Sequence, residues 1–153
     1  MIKPLIVYFA IITNVIFAQS QSGEYTIESL GTQTFLQTAP PVGGPLTLGS
    51  AGGIWKISPP LGPETTNYTI SHPVFGYYAG LKKASPFDEY VITVPDPYYF
   101  TITRASTGYY SISIPRFGVF WTSNSTISPF IQLISGSEVR GNDGYFNIVP
   151  AQK

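Results

Sequence analysis

An internal repeat of about 42 residues is the feature that most constrains how this chain can fold. Two series of aromatic-x-Ile triplets mark the repeat, the first beginning at Tyr25, Tyr68 and Tyr110 and the second at Trp55, Phe100 and Phe146. A third series of aromatic residues follows the first by ten positions, at Phe35, Tyr78 and Phe120. Because three landmarks keep one order and nearly one period, the sequence indicates three copies of one structural unit.

Each copy has the pattern of several short β-strands. Apolar residues alternate with Thr and Ser through the triplets, as they do in strands with one buried face. After residue 20, no stretch keeps apolar residues at helical spacing for more than two turns. Most of the 14 prolines and 15 glycines fall between the alternating runs, where they predict turns.

Three units of about four strands each predict an all-β fold, the β-trefoil, in which six strands close a barrel and six form hairpins that cap one end. One unit cannot bury its apolar face alone, so the triplets of all three would meet around a pseudo-threefold axis. A β-sandwich also suits many short strands, but it does not explain the threefold period. We expect a single domain over residues 19–153, with units at about 23–60, 65–105 and 107–151.

The first 18 residues predict a secretory signal peptide. A short basic start at Lys3 precedes an apolar run from Leu5 to Phe17, and Ala18 is the expected cleavage position. A transmembrane anchor is the alternative, but the run is short for a bilayer span and no basic cluster follows it. We therefore expect a secreted, extracellular, monomeric protein that does not interact with membranes after cleavage.

Composition narrows the classes of partner. The chain has no cysteine, which excludes disulfides and thiol chemistry, and its 23 aromatic residues must supply much of the core. Removing Lys3 with the signal peptide leaves seven basic against eight acidic residues. Without clustered cations, neither nucleic acid nor an acidic membrane surface is an expected partner.

Catalysis is not expected, because no catalytic set is marked in the sequence, although a glycosidase pair of two distant carboxylates stays open. His72 is the only histidine, and its position before Pro73 is typical of a surface turn. A serine nucleophile would need that histidine and an orienting carboxylate. Asp88 and Glu89 are adjacent, so their side chains would point to opposite faces of a strand. No metal-ligand cluster or phosphate-binding glycine loop appears, and no cofactor is expected.

Two sequons make Asn67 and Asn124 candidates for N-glycosylation, and hence the product a candidate glycoprotein. Asn124 lies in a polar stretch rich in Thr and Ser and is the better acceptor. The sequon of Asn67 overlaps a predicted core-facing strand, so a glycan there would need the edge of that element.

Function on a rigid barrel is expected in its loops. The richest loops run from Thr38 to Pro45, from Pro59 to Thr65, from Gly80 to Asp88 and from Ser135 to Gly144. Proline stiffens the first two, which would lower the entropic cost of ordering them in a complex.

The repeat landmarks resemble those of the mushroom β-trefoil serine-protease inhibitors, a fungal family. The similarity covers about Gly23 to Val149 and rests on four strand motifs: Gly23-Glu24-Tyr25-Thr26-Ile27, Trp55-Lys56-Ile57, Tyr68-Thr69-Ile70 and Phe146-Asn147-Ile148. The resemblance implies a reversible inhibitor that places an exposed loop in the cleft of an extracellular serine protease.

The position of the inhibitory loop in some members matches Thr38 to Pro45. The contact candidates that the resemblance implies are therefore Ala39, Pro40, Pro41, Val42 and Gly43. That loop contains no Lys, Arg or Asn for a trypsin-like pocket. Lys82 and Lys83, in the equivalent loop of the second unit, suit such a pocket better.

A more distant resemblance, to ricin-B-like trefoil lectins, suggests glycan binding as the alternative. Those lectins carry a Gln-x-Trp triplet near the end of each unit, and the matching triplets here are Gly53-Ile54-Trp55, Tyr98-Tyr99-Phe100 and Gly144-Tyr145-Phe146. None contains the Gln, so typical galactose sites are not supported, and a different sugar site built on exposed Tyr remains open. A secreted fungal effector that binds a host protein is a third reading.

Overall fold

Twelve short strands, four in each repeat, make up the computed structural model of the protein, which describes residues 23–62, 66–82, 86–124 and 128–152. The predicted signal peptide, 1–18, lies outside these residues. The first unit holds β1 (Glu24–Ser29), β2 (Thr34–Leu36), β3 (Leu48–Gly49) and β4 (Trp55–Ser58). The second holds β5 (Thr69–Ser71), β6 (Tyr78–Gly80), β7 (Ile92–Val94) and β8 (Thr101–Arg104). The third holds β9 (Tyr110–Ile114), β10 (Val119–Asn124), β11 (Ser128–Ser135) and β12 (Phe146–Pro150), with a 3-10 turn at Pro115–Phe117.

The first and fourth strands of all three units close a six-stranded barrel. Within each unit the landmark aromatics pair with each other across the two strands, as Tyr25 with Trp55, Tyr68 with Phe100 and Tyr110 with Phe146. Between units the landmark isoleucines pair, as Ile57 with Ile70, Ile102 with Ile112 and Ile148 with Ile27. The ring of six barrel strands closes on itself, so none of these six is left at an open sheet edge. The fold is a β-trefoil, and the prediction from the repeat is confirmed.

The core follows the alternation of the strands. Trp55, Phe100 and Phe146 are fully buried, and Trp121 packs edge-on against Phe100 and Phe146 with ring centroids 5.2 and 6.2 Å away. Edge-to-face contacts of this kind suit aromatic quadrupoles. The third landmark series does not form part of the buried core. Phe35, Tyr78 and Phe120 are half-buried, and the residue after each of them is buried instead.

Three hairpins cap the barrel, and a ring of backbone hydrogen bonds joins them at the pseudo-threefold axis. The N–H of Leu46 donates to the carbonyl of Val91 over 2.8 Å, Val91 to Ile131 over 2.9 Å, and Ile131 to Leu46 over 3.1 Å. All three side chains are completely buried. Each unit thus supplies one donor and one acceptor that only another unit can satisfy. No helix within the described ranges is long and apolar enough to cross a membrane.

Shortening a side chain on this axis should destabilise the whole domain. We expect Leu46→Ala to lower the free energy of unfolding by about 2–5 kcal/mol, because it leaves a cavity where three units meet. Ile54→Ala removes a comparable volume from an exposed position and is the matched control, expected to cost under about 0.5 kcal/mol. Urea unfolding followed by tryptophan fluorescence measures both variants. Equal losses would contradict the role of the axis.

Candidate functional site

The residue just before each buried aromatic at the fourth strand points outward, and the three units differ there. Ile54, Tyr99 and Tyr145 occupy this position, and Tyr99 is the most exposed at 60%. In the first and third units the preceding residue is a glycine: a Cβ on Gly53 would lie 2.7 Å from the backbone nitrogen of Thr38, and one on Gly144 would lie 2.7 Å from a methyl of Val139. The second unit carries Tyr98 instead. The second unit therefore presents two consecutive tyrosines where the others present one side chain.

Tyr98 fits because its neighbours leave space for it. A Cβ on Gly80 would lie 3.0 Å from the Cβ of Tyr98 and 2.4 Å from a methyl of Val94, so a glycine at position 80 makes room. The ring of Tyr98 also packs 5.1 Å from that of Phe100. With Tyr98 fixed against the barrel, the ring of Tyr99 is directed to solvent.

A groove of about 630 Å³ lies beside these tyrosines, between the second and third units. Its described lining consists of Thr66, Asn67, Pro97, Tyr98, Tyr99, Phe100, Thr101, Ile114, Pro115 and Arg116. We call it the Tyr99 groove. An exposed ring, an exposed amide and an exposed guanidinium meet in it, and no carboxylate is among the described residues that line it. This volume is within the usual range for small-ligand sites.

Arg116 is held in place at the rim of the Tyr99 groove. It sits in the 3-10 turn between β9 and β10, which Gly118 ends in a left-handed conformation at φ 62°. Its guanidinium carbon lies 4.5 Å from the centre of the Phe117 ring, a cation–π distance. Burial raises the pKa of Tyr98, and the charge of Arg116 opposes that rise.

The corresponding junctions between the other units lack this combination. The turn Pro73-Val74-Phe75-Gly76 repeats as Pro115-Arg116-Phe117-Gly118, so Val74, which is 80% exposed, stands where the third unit has Arg116. At the junction of the third and first units, the carbonyl of Tyr145 accepts from the N–H of Leu30, and Gly31 lies against Asp143. The three junctions share a backbone but differ in charge and polarity.

Neither of two other cavities combines an exposed aromatic ring with a charged or amide side chain among its described lining residues. One of about 590 Å³ is lined by the exposed Arg104, but its Tyr68 ring is buried and the Tyr68 phenol donates to the carbonyl of Gly62 over 2.9 Å. One of about 240 Å³ lies in the third unit beside Phe120 and Tyr145, and its described lining holds no charged or amide side chain.

The loop from Thr38 to Pro45 is pinned to the second unit by Thr93. The Thr93 hydroxyl donates to the carbonyl of Pro41 over 2.7 Å, its N–H donates to the carbonyl of Gly44 over 2.9 Å, and its carbonyl accepts from the N–H of Gly43 over 2.8 Å. Thr93 itself is completely buried. The loop is consequently ordered at its tip.

The contact candidates in this loop divide by exposure. Pro41, Val42 and Gly43 are exposed, Pro40 is half-buried, and Ala39 is buried beneath them. In the equivalent loop of the second unit, Lys82 is exposed, and Lys83 lies outside the described residues.

The two glycosylation candidates lie in different settings. Asn67 is exposed immediately before β5 and lines the Tyr99 groove. Asn124 ends β10 and is half-buried, while the rest of its sequon, Ser125 and Thr126, lies outside the described residues. A glycan on Asn67 would occupy the groove, so the two uses of this side chain exclude each other.

The prediction that His72 is a surface turn residue is wrong about its burial. The side chain is 7% exposed, and its ring lies edge-on to Trp55 at 5.8 Å and stacks on Phe75 at 4.8 Å. Its Nδ1 accepts from the N–H groups of Val74 and Phe75, both over 3.3 Å. The histidine closes the turn by bonding to its backbone, and burial lowers its pKa.

The comparisons with known proteins identify the fold. No protein-family model matches the sequence, and no curated protein matches it. Among solved structures, the ricin B-like lectin of Macrolepiota procera in complex with lactose superposes with a TM-score of 0.69 at 15% identity, over 86% of this chain and 98% of that one. The Rhizoctonia solani agglutinin gives 0.68 at 13% identity, over 85% and 96%.

A designed threefold-symmetric protein, ThreeFoil, gives a TM-score of 0.67 at 16% identity, over 83% of this chain and 98% of that one. Similarities at such low identity establish the β-trefoil architecture and its threefold symmetry. They do not support the resemblance to the mushroom protease inhibitors beyond this shared fold.

The buried His72 makes stability depend on pH. Its folded pKa lies below the ordinary value of 6.5, so the unfolded chain takes up a proton first as the pH falls. The stability present above about pH 6.5 should be partly lost as the pH falls toward the folded pKa. His72→Asn keeps an acceptor for the turn but does not titrate, so we expect its free energy of unfolding to fall less between about pH 7 and pH 5.5. Identical pH dependence in urea unfolding would contradict this assignment.

Proposed function

We propose that the protein is a carbohydrate-binding β-trefoil and that the Tyr99 groove is its binding site. The observation that carries the proposal is the meeting of the exposed Tyr99 ring with Asn67 and Arg116 in one groove. An aromatic face packs against the C–H face of a sugar ring, and amide and guanidinium groups hydrogen-bond its hydroxyls. A largely apolar wall with a few placed polar groups is the usual design of a small-ligand site.

The rigidity of the groove supports the same function. Tyr99 is flanked by Tyr98 and Phe100, which pack against each other, and Arg116 is held by Phe117. Side chains already fixed before binding lose little entropy when the ligand arrives.

Two solved neighbours are named as a lectin and an agglutinin, and one of them is in complex with lactose. This supports glycan binding as a use of the fold but does not place the site. The Tyr99 groove differs from a Gln-x-Trp galactose site, because Tyr98 stands at the Gln position. Secretion, which residues 1–18 predict, would bring the groove to extracellular glycans.

Removing the exposed ring should impair binding without unfolding the protein. The mature chain, made in bacteria so that Asn67 stays unmodified, is screened on a glycan array, and hits are measured by calorimetry. We expect Tyr99→Ala to weaken the best ligand by about tenfold or more, because the stacking surface is lost. Tyr109→Ala is the control, since Tyr109 is also exposed but is not among the residues that line the groove.

Two outcomes would overturn the proposal. One is an array with no hits for folded protein. The other is equal affinity of the Tyr99 and Tyr109 variants for the ligand that wild type binds.

Serine-protease inhibition is a second candidate, favoured by the ordering of the loop from Thr38 to Pro45. Three hydrogen bonds to Thr93 fix the loop while its tip presents Val42, which is 48% exposed. A loop held in one conformation suits insertion into a protease cleft at low entropic cost. A valine at the tip fits the small primary pocket of elastase-type enzymes rather than the acidic pocket of trypsin.

The protease candidate is tested by titrating the mature protein against elastase, trypsin, chymotrypsin and subtilisin. We expect elastase to be inhibited most, and Val42→Asp to abolish that inhibition because it puts a charge in an apolar pocket. Lys82→Ala should leave elastase inhibition unchanged. If the protein inhibits trypsin and this variant does not, the activity belongs to the loop of the second unit instead. No inhibition of any enzyme at micromolar protein would remove this candidate.

A further inference from the structure

The charge of the Tyr99 groove is one-sided. Arg116 lines it, while no acidic side chain is among its described lining residues. Tyr98, the other titratable group beside Arg116, has a raised pKa and is an uncharged phenol near neutral pH. The groove therefore offers a positive charge that its own described walls do not neutralise.

The guanidinium is also placed for directional binding. Phe117 lies under it at 4.5 Å, and its charge also acts on the neighbouring Tyr98 phenol, where it lowers the pKa. A guanidinium has five N–H donors in a planar fork, so donors remain for a ligand. That fork matches the two oxygens of a carboxylate, and such charged pairs are about twice as strong as neutral hydrogen bonds.

We infer that the groove selects saccharides that carry a carboxylate, such as uronic or sialic acids, with Arg116 binding the acid group. The inference rests on the proposed function and adds the class of sugar to it. Tyr99 would pack against the sugar ring and Asn67 would bond its hydroxyls, while Arg116 recognises the charge. The equivalent junction of the first and second units presents Val74 in place of Arg116, so it offers no such cation.

Pairs of sugars that carry either a free carboxylate or its methyl ester test the inference. The probes are trigalacturonic acid and 6′-sialyllactose, each against its own methyl ester, measured by calorimetry with bacterially made mature protein. We expect each acid to bind about tenfold or more tightly than its ester, since the ester cannot form the charge-assisted pair. The preference should shrink as the salt concentration rises, because exposed charges are screened.

Variants connect the preference to one side chain. Arg116→Gln should lower affinity for the acid about tenfold and leave the ester nearly unchanged, and Arg116→Lys should fall between, because it keeps the charge but loses the fork. Arg140→Gln removes an exposed arginine outside the described groove lining and is the matched control. Thermal melts confirm that each variant is folded.

The outcomes separate this inference from the proposed function. Acid and ester binding equally, or Arg116→Gln weakening both alike, would overturn the acid preference, and Tyr99-dependent binding of neutral sugars would leave carbohydrate binding standing. Failure of every probe and of the neutral glycans on the array would overturn both. A preference for the acid that Arg140→Gln removes as fully as Arg116→Gln would overturn the assignment to Arg116.

Discussion

The ring of three backbone hydrogen bonds at the pseudo-threefold axis is the constraint on which the rest of the structure depends. Leu46, Val91 and Ile131 bury their backbone groups completely in an apolar centre, where an unpaired N–H or carbonyl would cost several kcal/mol. Each donor finds its acceptor only in the next unit. The buried backbone groups of the capping hairpins are therefore all paired only when all three units are present. This requirement joins the three repeats into one domain.

The same requirement explains why the core is more regular than the surface. Closing the axis fixes the register of the hairpins, and the barrel strands then pair aromatic with aromatic inside each unit and isoleucine with isoleucine between units. A change at any of these positions would disturb two strands at once. The outward residues at the junctions are not constrained by packing in the core. Ile54, Tyr99 and Tyr145 are exposed, and the side chains at the three junctions differ in polarity.

The contrast between a regular core and a varied surface decides which features the sequence predicts. The strands and the threefold barrel were accessible because Tyr25, Trp55 and their equivalents repeat at nearly constant spacing. The axial ring was not, since Leu46, Val91 and Ile131 are spaced unevenly and resemble any other apolar residue. The Tyr99 groove was also missed, because Asn67, Tyr99 and Arg116 come from two units and meet only after the barrel closes. One signal was present: Tyr98 stands where the other two units have glycine. The burial of His72 depends on Trp55, which lies in the first unit and is not included in a local turn pattern.

The tyrosine that breaks the symmetry also sets the electrostatics of the groove. Had a carboxylate stood at position 98, it would have neutralised Arg116 and left a closed ion pair of little use to a ligand. A phenol is uncharged near neutral pH, and burial raises the pKa of Tyr98 further above that range. Tyr98 therefore does not cancel the charge of Arg116. Tyr98 packs against Phe100, Arg116 packs against Phe117, and the positive charge stays at the rim of the groove beside Tyr99.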